Sequence, residues 1–235
     1  MKVPFRFLAR RIPVVFAVLV PLASLPLRAQ VGPPKEDRAF REVDLVELVT
    51  LDPTIRLDVR YATKNNEFGR PFYSEARAFL QRPAAEALAR VQRALKASGY
   101  GLLVFDGYRP WSVTKQFWDL TPEGKKVFVA NPKNGSRHNR GGAVDLTLVD
   151  LATGKEADMG GAYDEMSKRS YVTYEDGPKD ALQRRDILRN AMEKEGFFVY
   201  AFEWWHFDWK DWREYAVLDV PFGSLRQPAP VAVPQ

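Results

Sequence analysis

The sequence predicts a single α+β domain with a mainly antiparallel central sheet flanked by helices. Three observations lead there. Residues 54–61 (TIRLDVRY) alternate apolar and polar as a half-buried strand does. Pro83 opens a segment in which Leu88, Val91 and Leu95 recur at helical spacing, and Gly99 closes it. Segments of both kinds follow one another without a regular βαβ repeat, which favours α+β over a doubly wound sheet.

Taken in order, the elements begin with a leader. Residues 1–29 carry Lys2, Arg6, Arg10, Arg11 and Arg28 and no acid, and four of these cations precede an apolar stretch from Ile12 to Ala23. That is the pattern of a secretory signal, leaving through Leu27-Arg28-Ala29. As a membrane anchor the stretch falls short of the ~20 apolar residues a span needs, and Pro13 and Pro21 interrupt it. Residues 30–43, beginning QVGPPKEDR, read as a flexible start, and 224–235 (SLRQPAPVAVPQ) as a Pro-rich tail. Between them one domain, 44–223, is expected. After the strand at 54–61 and the helix from Pro83, the apolar run GLLVF (101–105) suits a buried strand. AVDLTLV (143–149) alternates again, 179–195 is helical up to Gly196, and 197–209 holds one or two strands rich in aromatics.

Composition narrows the function classes. The formal charge of +5 on 235 residues belongs to the leader: without its five cations, 35 Lys and Arg fall to 30, matching 30 Asp and Glu. Nothing in the remainder calls for a polyanionic partner, so no nucleic acid is expected. No later segment is long and apolar enough to span a membrane. The complete absence of cysteine excludes disulfides and thiolate metal sites, which fits an exported enzyme with a core large enough to stand alone.

The chemistry gathers around only two histidines. His138 lies in a polar, Gly-containing turn, Ser136-Arg137-His138-Asn139-Arg140-Gly141-Gly142, followed by a strand carrying Asp145. The alternation places Asp145 opposite Val144 and Leu146. A carboxylate inside such a strand is costly unless a cation pairs with it, either an arginine or a metal ion. His206 closes Glu203-Trp204-Trp205-His206. In an extended chain Glu203 and His206 point to opposite faces, and a local turn or bulge is needed to bring them together. The two groups together supply two imidazoles and one carboxylate, with a second carboxylate spare. Two His plus one Asp or Glu, leaving a position for water, is the composition of a catalytic zinc site, and the spare carboxylate suits a general base. Asp106-Gly107-Tyr108-Arg109-Pro110 follows the GLLVF strand, at a strand end where site residues commonly emerge. The planar fork of Arg109 suits a substrate carboxylate or a developing oxyanion.

These residues carry a resemblance. S-x-H-x-x-G-x-A-x-D (136–145) followed by E-W-W-H (203–206) resembles the zinc D-alanyl-D-alanine dipeptidases associated with vancomycin resistance, within a wider family that also holds zinc D,D-carboxypeptidases. D-G-Y-R-P (106–110), Y-A-T-x-N-N-x-x-G (61–69) and D-M-G (158–160) look like the dipeptidase branch, as does the Trp204-Trp205 pair. The resemblance runs from about residue 44 to 215. It implies that His138, Asp145 and His206 ligate one zinc ion per chain, placing the zinc site at the sheet. It further implies that Glu203 is the catalytic base and then acid, that Arg109 stabilises the tetrahedral intermediate, and that Ser136 helps hold the substrate. Gly161-Ala162-Tyr163-Asp164 departs from the more usual Thr-Pro-Phe-Asp, in a loop where substrate preference is set if it borders the pocket.

The activity expected from the resemblance is hydrolysis of D-Ala-D-Ala to two D-alanines in cell-wall peptide turnover, in the periplasm or outside the cell. A dipeptide-only enzyme must enclose both charged ends of its substrate. A small closed pocket is therefore expected, lined by Arg109, Tyr108 and Trp205. The competing activity is a zinc D,D-carboxypeptidase trimming peptidoglycan stem peptides, which needs an open cleft. A zinc-dependent binding module is a further class, and the presence of Glu203 argues against it.

Overall fold

A computed structural model describes residues 32–225. The leader 1–29 lies outside the described residues, as does the tail beyond residue 225. Seven strands and four helices are described: β1 (Leu45–Glu47), α1 (Leu48–Leu51), β2 (Arg56–Leu57), β3 (Phe79–Gln81), α2 (Arg82–Leu95), β4 (Tyr100–Asp106), α3 (Trp111–Leu120), β5 (Ala143–Asp150), α4 (Lys179–Lys194), β6 (Phe197–Tyr200) and β7 (Glu203–Trp209). Five strands form one sheet in the order β2-β4-β5-β7-β6. Only the β2–β4 pair is parallel. β1 and β3 make a separate antiparallel pair. The expected mainly antiparallel α+β domain is what the chain forms.

α2 forms for the reasons its sequence gives. Pro83 sits in the first turn, where its missing N–H costs nothing, and Gly99 takes the left-handed φ of +79° that ends the helical segment. Leu88, Val91 and Leu95 are buried, each contributing roughly 1.5–3 kcal/mol. Gln92, also buried, pins the helix to the sheet: its Oε1 accepts from Leu102 N at 2.7 Å and its Nε2 donates to Thr54 O at 3.1 Å. α4 packs on β6, β5 and α2, closing the helical layer.

Three expectations need correction. Residues 54–61 do alternate in burial, with Ile55, Val59 and Tyr61 inside, yet only Arg56 and Leu57 pair as strand. The ladder stops because Arg60–Ala62 turn into a 3₁₀ helix, with Arg60 held by Asp58 at 2.9 Å. β5 is not half-buried: Ala143 through Val149 are buried on both faces. The start expected to be flexible is tied down over 36–41, where Arg41 N donates to Glu214 O at 2.8 Å and Arg140 holds Glu36 at 2.8 Å.

Two irregularities in the sheet position the site. Along β4 and β5 the register slips by one at Phe105, so that Asp106 comes opposite Asp145. Asp145 in turn pairs with His206 on β7. Asp106, Asp145 and His206 therefore stand in a row across three adjacent strands.

Candidate metal centre and its cavity

The second irregularity lies between β6 and β7. Phe197, Phe198 and Val199 pair in step with Trp209, Asp208 and Phe207, but Tyr200 then pairs with Glu203. The skipped residues swing Glu203 round to the face of His206, and its Oε2 lies 3.7 Å from His206 Nδ1. This is the bulge that a Glu-x-x-His segment needs in a strand.

His138 opens a 3₁₀ turn that ends at Gly141 with φ +64°. That left-handed conformation favours glycine, and a Cβ there would also displace the Leu45 side chain, whose Cδ2 would lie 2.5 Å away. The turn interlocks with the Asp106–Pro110 loop. Asn139 Nδ2 donates to Arg109 O and to Thr114 Oγ1, each at 2.8 Å, and Arg109 N donates to His138 O at 3.1 Å. His138 Nδ1 faces Gly107 O at 2.7 Å, which places its proton there and leaves Nε2 bare. Gly107 is itself confined, since a Cβ would come 2.6 Å from Phe79 O.

Three ligand atoms converge. His138 Nε2 lies 3.1 Å from His206 Nδ1 and 3.4 Å from Asp145 Oδ1, and His206 Nδ1 lies 3.0 Å from Asp145 Oδ1. Donors on a tetrahedral zinc, with bonds of about 2.0–2.2 Å, stand roughly 3.3–3.6 Å apart. All three groups are buried. Nε2 of His206 faces Asp208 Oδ1 at 2.9 Å, so its proton has an acceptor away from the cluster. With both protons placed outward, two nitrogen lone pairs and a carboxylate oxygen point at one place, an arrangement that requires a cation. The same demand for positive charge acts on protons. Burial opposes charge on His206, yet its bonds to Asp145 and Asp208 outweigh that and raise it to about 10. Burial likewise disfavours ionised Asp145, but the two imidazoles hold its carboxyl well below the usual range. The residues fit zinc: hard and borderline donors, no thiolate, and an open side.

The surroundings complete the first ring of groups. Asp145 Oδ2 accepts from Tyr163 Oη at 3.1 Å, which frees Oδ1 for the cluster. Arg109 donates through Nε and Nη2 to Asp106 Oδ2 at 2.9 and 2.7 Å and lies over the Tyr61 and Phe117 rings. Its Nη2 stands 3.8 Å from Asp145 Oδ2. Burial raises the Glu203 carboxyl above its ordinary range despite the nearby His206, so it holds a proton more readily than a free glutamate. Opposite, Asp164 adopts a positive φ of 59° and accepts from Tyr61 Oη at 2.6 Å. Burial raises it to about 8, against the pull of that bond.

A cavity of about 150 Å³ joins these groups, lined among others by Tyr61, Arg109, Ser136, Asp164 and Glu203 with the three donors. Drug-sized pockets run to roughly 300–1,000 Å³, so this one takes a smaller ligand. Two expected lining residues are elsewhere. Tyr108 is fully buried, its hydroxyl donating to Val220 O at 3.0 Å and accepting from Val220 N at 2.8 Å. Trp205 is packed edge-on against Tyr163 in the core. Both sit beside a cavity residue in sequence, and the alternation of the chain turns them to the other side. Tyr61, Asp164 and Asp208 were not singled out by spacing. Asp208 was accessible to it, two residues beyond His206 on one face of a strand.

Residues 41–222 match the D-ala-D-ala dipeptidase family of M15 peptidases. The chain belongs to that family. A D-alanyl-D-alanine dipeptidase of Escherichia coli (strain K12) is 34% identical over 185 residues, covering 79% of this chain and 94% of that protein. One from Enterococcus faecalis is 36% identical over 186 residues, covering 72% and 88%. One from Streptomyces coelicolor is 36% identical over 175 residues, covering 67% and 87%. As in any D-ala-D-ala dipeptidase family member, the chemistry must be argued from the site, and here His138, Asp145, His206, Glu203 and Arg109 meet around one cavity.

Proposed function

We propose that the chain is an exported zinc dipeptidase that hydrolyses D-Ala-D-Ala to two D-alanines in cell-wall peptide turnover. The observation that carries this reading is the triangle of His138, Asp145 and His206 with Glu203 beside it, inside a cavity of about 150 Å³. His138, Asp145 and His206 would hold the zinc, which would supply Lewis acidity toward the scissile carbonyl and the attacking water. Glu203, its proton affinity raised by burial, takes the proton of the attacking water and delivers it to the leaving amine. Arg109, clamped by Asp106, keeps its charge beside the cluster and stabilises the oxyanion.

The far side of the cavity supports a free dipeptide over a longer chain. Asp164, paired with Tyr61 and raised to about 8 by burial, lies where the substrate's own ammonium would draw it into its ionised form. A peptide acylated at that nitrogen has no charge to give it. No observation favours the carboxypeptidase activity, which would need an open cleft. Ser136 lines the same cavity and accepts from His138 N at 3.3 Å, so its hydroxyl is held where it can meet substrate. Export rests on the leader: the four cations ahead of Ile12–Ala23 and the small residue at Ala29.

The test is amino-acid release by the purified chain from free D-Ala-D-Ala and from an N-acylated peptide ending in D-Ala-D-Ala, each with and without a chelator. Release from the free dipeptide only, abolished by chelation, is expected. Release from the acylated peptide would replace the dipeptidase by a carboxypeptidase. For export, the full chain expressed in a Gram-negative bacterium should accumulate in the periplasm shortened by about 29 residues; an unshortened cytoplasmic product would end that part of the reading.

A further inference from the structure

We propose that Asp208, held by Arg137, is a positioning residue that fixes the tautomer of His206 and thereby the affinity of the zinc site. His206 has one ring proton when neutral and two carboxylates competing for it: Asp145 Oδ1 at 3.0 Å from Nδ1, and Asp208 Oδ1 at 2.9 Å from Nε2. If Asp145 took the proton, Nδ1 would be blocked and the three-donor cluster would lose a member. Asp208 draws the proton to Nε2 and leaves Nδ1 bare toward His138 and Asp145.

The two histidines solve this problem differently. His138 gives its outward proton to a backbone carbonyl, Gly107 O, which the fold cannot move without disturbing Phe79. His206 depends on a side chain, which must itself be held. Arg137 does the holding: its Nε lies 3.1 Å from Asp208 Oδ2, and its guanidinium lies over the rings of Tyr200 and Trp212 at 5.1 and 5.4 Å. The arginine side chain is about one-third exposed while Asp208 is mostly buried. A pair open to water on its arginine side contributes little to stability, about 0–1 kcal/mol. Its use is orientation, with one oxygen of Asp208 for the arginine and the other for the imidazole.

This inference rests on the zinc reading, so the test reads zinc binding rather than turnover. Zinc affinity is measured by competition with a chelator in wild type, Asp208→Ala, Asp208→Asn, Arg137→Met and the Asp208→Ala/Arg137→Met pair, with thermal unfolding in chelator to check each fold. Asp208→Ala is expected to weaken zinc by roughly 10–100-fold with little change in unfolding temperature. Asp208→Asn, which keeps an acceptor oxygen and loses the charge, should fall between it and wild type. Arg137→Met should cost a few-fold, and nothing further in the Asp208→Ala background, because the arginine acts through the aspartate. Wild-type affinity in a folded Asp208→Ala overturns the proposal, as it does in Asp208→Asn should the alanine variant fail to fold. Additive losses in the pair would overturn the role of Arg137. A wild-type chain that takes up no zinc would overturn the zinc reading itself, a distinguishable result.

Discussion

The two sides of the cavity are built in different ways. The metal side is built mainly on strands: Asp106, Asp145 and His206 stand in register across β4, β5 and β7, a slip beside β6 turns Glu203 in with them, and His138 joins from a 3₁₀ turn that is fastened to the Asp106–Pro110 loop. The opposite side comes from turns: Tyr61 lies in a 3₁₀ turn, and Asp164 lies in a loop at a backbone angle that few residues other than glycine adopt. A sheet fixes distances between donors to within the tolerance a metal demands, whereas a loop can change length and composition without breaking the ladder. The reaction is therefore carried by the rigid side and the choice of substrate by the adaptable one.

The largest break in this division is removal of the base. Glu203→Gln should lower kcat on D-Ala-D-Ala by roughly 10²–10⁴-fold while leaving zinc content unchanged, since a general base contributes about that much and Glu203 is not a donor of the cluster. Steady-state kinetics with metal analysis checks it; loss of zinc alongside activity would make Glu203 a ligand instead. Next comes Arg109. Arg109→Lys keeps a charge and loses the planar fork, and should reduce kcat by about 10²–10³-fold. Arg109→Met additionally leaves Asp106 buried without its cation, so denaturant unfolding should show a loss of roughly 3–5 kcal/mol. Equal stability of the methionine variant would mean that Asp106 is satisfied by Tyr73 and Gly107 N alone.

The same division explains what could be read from the sequence. The metal side was legible because the chain has two histidines and no cysteine, and because Asp145 breaks an apolar strand. The slip that unites Glu203 with His206 was foreseeable only as a need, since bulges depend on the neighbouring strand. β1 and β3 have three residues each, too few for a period to show. α3 starts directly after Pro110, but its ten residues follow the DGYRP turn without an acidic or Ser/Thr/Asp/Asn cap to mark the start. Tyr108 and Trp205 were misplaced because a sequence neighbour of a site residue points the other way in extended chain. Asp164 carries no pattern of its own: its role depends on Tyr61, 103 residues away.

Loop-side predictions are smaller and sharpen the contrast. Asp164→Asn keeps the acceptor for Tyr61 and removes the negative charge that Asp164 takes on beside the substrate ammonium. A charge-assisted hydrogen bond is worth about 1.5–3 kcal/mol, so kcat/KM for the free dipeptide should fall roughly 10–100-fold, mainly through KM. A fall in kcat with unchanged KM would place Asp164 on the reacting side.

The mildest effect concerns stability and pH, and its sign follows from burial. Asp164 is raised to about 8 from 3.8, so the folded chain keeps a proton there that the unfolded chain has released. The stability this group supplies is complete below 3.8, declines as pH rises, and is gone above about 8. The carboxyl is only partly withdrawn from water, so solvent screening reduces the effect well below the full shift. About 1 kcal/mol moves the unfolding temperature by roughly 2–4 °C in a domain of this size, and a difference of that order is expected. Measured in chelator, the parent should lose a few degrees more than Asp164→Asn as pH rises through this window. His206, raised to about 10, also loses stability with rising pH but does so in both proteins, so the difference between them isolates Asp164. Parallel curves would mean that the loop already exposes this carboxylate to water.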